Sequence, residues 1–169
     1  EVEQKEVQSN LYYIKYKIKN SDNFLTIATT RPETMLGDTA VAVNPNDKRY
    51  KILIGKKITV PITNRTVEII ADNYVSMEQG SGALKVTPAH DFNDFEIGKR
   101  HKLEFINIFE KNGKLNNNVP KDFIGLDRFE ARTIIVKILK ERNLLEKIEN
   151  IKNAIPYGDR SNTIIEPLL

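Results

Sequence analysis

The chain has 169 residues, with 40% hydrophobic and 29% charged side chains, a balance that suits one globular domain with a real core. Its net charge is +3, from 26 basic and 23 acidic residues scattered without a long block, so charge alone does not single out a nucleic-acid binder. Cysteine is absent, which excludes disulfides, a thiol nucleophile and Cys-based zinc sites.

The opening EVEQKEVQSN is polar and charged. It has neither an initiator Met nor a signal-peptide pattern, and it reads as the start of a piece of a longer intracellular protein. No apolar run is long enough to span a bilayer. Leu11 to Lys19 alternates apolar and polar residues, the period of a half-buried strand. Asn20 to Asn23 reads as a hairpin turn into a second strand, Phe24 to Thr30. Further short strands are expected at Thr39 to Val43, Lys57 to Val60, Thr66 to Ala71 and Ala83 to Thr87. Asn44 to Asp47 begins a turn or short helix.

Helices are fewer. Asp91 to His101 is one. Asp127 to Arg142 is the clearest, with Phe129, Ile134, Ile135, Ile138 and Leu139 assigned to one broad face. Asp127 and Glu130 have capping-box spacing, and Asn143 suits the stop. Asn116 to Asn118 is the most loop-like segment, and no internal repeat is present. The fold class expected is α+β, a β-barrel-like core of short strands with a few peripheral helices.

Three segments hold chemistry. In Thr29-Thr30-Arg31-Pro32-Glu33-Thr34 a strand runs into a proline, and Thr30 and Glu33 again have capping-box spacing. A helix start there exposes backbone N–H groups, and Arg31 adds a fork of donors. From that segment alone, a well-capped helix start is the preferred account. In Gly80-Ser81-Gly82-Ala83-Leu84-Lys85-Val86-Thr87 the glycines permit a tight turn, and Lys85 and Thr87 fall on one strand face. A surface lysine and a strand-forming threonine would give the same pattern. The third segment is His90-Asp91-Phe92-Asn93-Asp94. Its acids either cap a helix or hold an ammonium group and orient a water. With two histidines and no cysteine, a two-His metal site at helical spacing is excluded, and no Gly-x-Ser-x-Gly elbow is present. Hydrolysis here would use water directly, without a covalent intermediate.

Together these segments resemble the editing domains of valyl-tRNA synthetases. The resemblance rests on ATTRPETMLGDTAVAVNP (28–45), GSGALKVTPAHDFNDFEIGKRH (80–101), IGLDRFEAR (124–132) and PYGDRSNTIIEPLL (156–169). It spans nearly the whole chain in order. The isoleucyl and leucyl relatives share the Thr-Thr-Arg-Pro core and a Pro-Ala-His element, while 33–38 and 85–87 look valyl. Gln79 departs from the pattern, which has an aromatic residue there, and puts one stacking contact in question.

The resemblance implies one editing domain over residues 1–169, inserted in a larger class I synthetase, with 156–169 as a strand returning to the catalytic body. It implies hydrolysis of threonine mischarged on the tRNA for valine, and of threonyl-adenylate, in the cytoplasm. Asp94, Lys85 and Thr87 are its catalytic candidates. Thr29, Thr30, Arg31, Thr34, Asp91 and His90 are its substrate-binding candidates. Asp94 would anchor the substrate's α-ammonium, Lys85 would face the ester or the ribose, and Arg31 would touch the terminal adenosine. No metal or cofactor is expected. The partners expected are the acceptor end of the tRNA and the rest of the synthetase, with no membrane. Two other readings stay open: an isoleucyl-type domain clearing valine, and a non-catalytic module binding the tRNA acceptor end. A generic nucleic-acid-binding barrel is disfavoured by the lack of interleaved aromatic and basic residues.

Overall fold

The computed structural model describes residues 4–156, with the side chains of 9–151. The returning segment expected at 156–169 lies outside the described residues, apart from the backbone of Pro156 at its start. The sheet is built from β1 (Gln4–Ile18), β2 (Phe24–Thr29), β3 (Ala40–Val43), β4 (Lys57–Val60), β5 (Arg65–Ala71), β6 (Ala83–Val86) and β7 (Leu145–Pro156). Its order is β2-β1-β4-β5-β3-β6, with β7 also pairing β1. Only β3 and β5 run parallel; the other pairs are antiparallel. The end strands β2 and β6 lie against each other, so the sheet curls into a nearly closed barrel.

The alternation of β1 fills that barrel. Ile14, Tyr16 and Ile18 are buried beside Leu25 and Ile27 of β2, Ile58 and Val60 of β4, and Ile69 of β5. The strand β3, Ala-Val-Ala-Val, is buried on both faces. That allows a second small core of Ala40, Ala42, Val86 and Ile97 beneath helix α1 (Phe92–His101). Among the described residues, no helix is long and apolar enough to cross a membrane.

Helix α2 (Arg128–Glu141) closes the other side. Asp127 and Glu130 form the expected capping box, and Asn143 takes a left-handed φ of 58° to stop the helix. The buried face is Ala131, Ile135 and Leu139, and Ile138 packs at its rim. Phe129 and Ile134 were expected on that face but are 60% and 38% exposed. The structure corrects the face because the narrow stripe at spacing four is what meets the core.

Two further differences are local. Strand β7 was not expected over 145–156, and β1 begins earlier than expected, because the two pair from Gln4↔Pro156 to Ile14↔Leu145. The helix start at Pro32 is a 3-10 helix, Pro32–Gly37, and Thr30 and Glu33 form no capping box there. Instead Thr29 Oγ1 accepts from the Arg31 N–H, and Glu33 is drawn away by α2.

Candidate active site

The elements that meet at one mouth of the barrel are the end of β2, the 3-10 helix, β6 and the start of α1. Asp91 caps α1, its Oδ1 accepting from the N–H groups of Asn93 and Asp94 at 2.9 and 3.0 Å. That cap aims the next turn back at β6. The backbone N–H of Thr87 then donates to Asp94 Oδ2 at 2.9 Å. Asp94 Oδ1 has no partner among the described residues.

Asp94 faces a cavity of about 280 Å³, whose walls include Thr29, Thr30, Arg31, Thr34, Lys85, Asp91 and Asn93. So the structure brings seven of the nine candidates to one cavity. Thr87 and His90 do not line it. Thr87 is buried beneath it, held by Lys85 and Asp38. The His90 ring is fully buried, where Nε2 accepts from the Ile108 N–H at 2.9 Å and Phe109 packs edge-on at 5.0 Å. Its link to the cavity is indirect: its carbonyl accepts from Nη2 of Arg31, a lining residue, at 2.7 Å.

Burial and the neighbouring Asp91 carboxylate push Asp94 up to about 7, against the pull of Lys85 and the Thr87 N–H. Burial, with the charges of Arg31, Arg128 and Lys85, pushes His90 down to about 4. A neutral imidazole whose Nε2 accepts carries its proton on Nδ1, so this ring is poorly placed to serve as a base.

Lys85 is buried and makes three contacts: Asp38 Oδ1 at 2.9 Å, Thr34 Oγ1 at 2.7 Å and Thr87 Oγ1 at 2.5 Å. An ammonium has three N–H donors, and all three are engaged. Thr34 in turn donates to the Arg31 carbonyl at 2.9 Å. Asp38 was not among the candidates read from the sequence. Glu33 was also overlooked. It is fully buried and paired with Arg132 in two bonds of 2.7 and 2.8 Å, so α2 grips the 3-10 helix that carries Thr34. Its partner stands 99 residues away, and no local pattern announces the pair.

A second cavity of about 530 Å³ adjoins the first and shares Leu11, Ala28, Tyr74 and Leu84 with it. The turn Gln79–Gly82 forms its far wall. Gly80 and Gly82 have φ of 57° and 83°, and a Cβ on Gly82 would strike the Arg49 guanidinium. Gln79 stands where an aromatic was expected. The aromatic on this wall is Tyr74, 53% exposed.

The chain is 63% identical over all its residues to a valine–tRNA ligase of Pelagibacter ubique, and 53% identical to one of Coxiella burnetii. The chain belongs to the valyl-tRNA synthetase editing-domain family. It spans 19% and 18% of those two relatives' length. Residues 46–127 match the sequence profile of a family described as "Leucyl-tRNA synthetase, editing domain". The fold of this editing domain is shared with two solved structures. One is a LeuRS–tRNA–LeuAMS ternary complex from Agrobacterium radiobacter, with a TM-score of 0.64 and 18% identity over 88% of this chain and 20% of the other. The second is GlLeuRS-CP1, with a TM-score of 0.65 and 13% identity over 82% of this chain and 98% of the other. The barrel-like α+β architecture read from the sequence is therefore the editing-domain fold.

Proposed function

We propose that this editing domain hydrolyses threonine esterified to the tRNA for valine, by direct attack of water. One observation carries the reading: a small polar cavity holds a carboxylate, Asp94, with one oxygen bonded to the protein and the other without a partner among the described residues. An α-ammonium is the natural guest for that oxygen, through a short charge-assisted bond. The guest's side chain then lies among Thr29, Thr30, Thr34 and Asp91.

Threonine and valine are nearly isosteric. A hydrophobic synthetic pocket rejects threonine by only about a hundredfold, the figure known for valyl-tRNA synthetases themselves. A polar second pocket inverts the preference. Threonine bonds its walls, whereas valine leaves polar groups unpaired at about 1–3 kcal/mol each. Asp91 Oδ2, which lies 3.6 Å from Arg31 Nη2, is the candidate contact for the threonine hydroxyl, since its Oδ1 is committed to the helix cap.

Lys85 lines the cavity and supports the developing oxyanion by its positive charge, its own N–H donors being engaged by Asp38, Thr34 and Thr87. Thr87 holds Asp94 and Lys85 in register from below. Arg31 faces the ribose or phosphate of the incoming end. The adjoining cavity receives the terminal nucleoside, with the Tyr74 ring as its flat wall. The partners are the aminoacylated acceptor end and the other domains of the synthetase, which supply most of the RNA contacts. The reaction needs no metal or cofactor, and the enzyme works in the cytoplasm. The same site accepts threonyl-adenylate.

The test is deacylation of threonyl-tRNA and valyl-tRNA by the full-length enzyme, with Asp94→Ala beside it. Threonine should leave at least about tenfold faster than valine. Asp94→Ala should slow the threonyl reaction about 10²- to 10³-fold through lost orientation, while valylation of tRNA continues. Equal rates for both esters, or a parental rate in the variant, would overturn the proposal.

A further inference from the structure

The group beneath the cavity floor has no part in the reading above. Asp38 is fully buried at the end of the 3-10 helix, and it does not line the cavity. Its carboxylate accepts three bonds. Lys85 Nζ and Thr87 Oγ1 reach Oδ1 at 2.9 and 2.7 Å, and the Tyr16 hydroxyl reaches Oδ2 at 2.6 Å. Its backbone is fixed as well. Arg65 donates to the carbonyls of Asp38 and Leu36 at 2.7 and 2.9 Å.

Proton accounting gives this cluster one arrangement. Thr87 has a single hydroxyl proton, and it goes to Asp38; its lone pair then takes a proton of Lys85. Thr34 gives its proton to the Arg31 carbonyl, so it too meets Lys85 as an acceptor. Two groups that only accept set these directions: the Asp38 carboxylate for Thr87, Lys85 and Tyr16, and the Arg31 carbonyl for Thr34. An ammonium as deeply buried as that of Lys85 also requires a counter-charge. Asp38 supplies it from the side away from the cavity, and this holds the Lys85 ammonium at a fixed place in the cavity wall.

We propose that Asp38 is a positioning residue of the editing reaction, acting through the Lys85 ammonium on the transition state without touching the substrate. The inference rests on the deacylase reading above. It differs from a purely structural role in what it does to the kinetics. Substrate binding depends on Asp94 and the cavity walls, which keep their places. The oriented charge beneath the reacting carbonyl does not.

The experiment uses the full-length enzyme and threonyl-tRNA. Asp38→Asn keeps the shape but removes the counter-charge, and its NH2 replaces one oxygen, either the one that faces Lys85 and Thr87 or the one that faces Tyr16. It should lower kcat about a hundredfold with KM within about threefold of the parent. A cycle with Lys85→Met identifies the path: once Lys85 is gone, Asp38→Asn should cost less than about threefold more. Tyr16→Phe is the gentler probe, keeping the ring in the core while removing one bond to Asp38. It should lower kcat about three- to tenfold at unchanged KM. If Asp38→Asn fails to fold, as judged by lost valylation and protease resistance, Tyr16→Phe decides alone. A kcat within twofold of the parent in the folded variants overturns the inference. So does a loss confined to KM, or additive losses in the cycle. If the unaltered enzyme does not hydrolyse threonyl-tRNA, the deacylase reading itself falls, and that outcome is visible before any variant is compared.

Discussion

Two acidic residues sit about one strand apart in this domain and live in opposite conditions. Asp38 is enclosed, and its carboxylate is met by a lysine and two hydroxyls. Asp94 is nearly as buried, yet it receives one backbone N–H on one oxygen. A satisfied buried network fixes geometry; a half-satisfied carboxylate costs stability and marks where a guest completes the bonding. The barrel thus separates a rigid base, Tyr16-Asp38-Lys85-Thr87, from a receptive lip, Asp91 and Asp94 at the start of α1. That helix start is held by its own cap, so it can keep the under-bonded carboxylate in place.

The sharpest way to break this contrast is to remove the cation they share. Lys85→Met leaves Asp38 buried without its counter-charge. We expect deacylation to fall about 10²- to 10³-fold and the domain to lose about 3 kcal/mol, read by single-turnover assay and by denaturant unfolding. The grip of α2 should matter next. Arg132→Ala strips Glu33 of its two short bonds and leaves Arg128 at 3.8 Å as its ion-pair partner. A loss of about 2–4 kcal/mol is expected in the same unfolding measurement, as for a buried pair broken from one side.

The lip should behave oppositely. The Asp94 carboxyl stands at about 7 in the fold, well above an ordinary carboxyl. The fold therefore favours its protonated form, and that contribution is intact in acid and is lost as pH rises through about 7. Asp94→Asn removes the charge but keeps an acceptor for the Thr87 N–H. It should stabilise the domain by about 1–3 kcal/mol at pH 8 and leave it unchanged at pH 4, while abolishing editing. The smallest effect is on rate. If ionised Asp94 binds the ammonium, kcat/KM on threonyl-tRNA rises about tenfold from pH 6 to a plateau above 7. A flat profile would mean that Asp94 is not the titrating anchor.

The lip was more legible in the sequence than the base. Asp91 and Asp94 are close in the chain, and their capping spacing places them on a helix start without any tertiary knowledge. Lys85 and Thr87 could be put on one strand face by alternation alone. Asp38 could not. It stands just before the strand expected from Thr39, with no cap or alternation to mark it, and it meets Lys85 only because β3 pairs antiparallel with β6, placing Val41 opposite Lys85. Tyr16 looked like one more strand residue, although its hydroxyl lies 2.6 Å from that acid. The strand β7 was hidden for a related reason. Its sequence LEKIENIKNAIP is half polar, and its register is fixed by backbone pairing with β1, a partner more than a hundred residues away in the chain. Capping and alternation are written within a few residues, whereas buried ion pairs are written only by the closed barrel.

The central claim is that the free oxygen of Asp94 takes the amino acid's ammonium, and the most direct measurement deletes that ammonium. A tRNA ester of the threonine analogue bearing a hydroxyl in place of the amine would be compared with threonyl-tRNA, in the parent enzyme and in Asp94→Ala. The parent should favour the amine by about a hundredfold, and the variant should hydrolyse both esters equally slowly. If the variant still favours the amine by the parental factor, Asp94 is not its partner and the account fails.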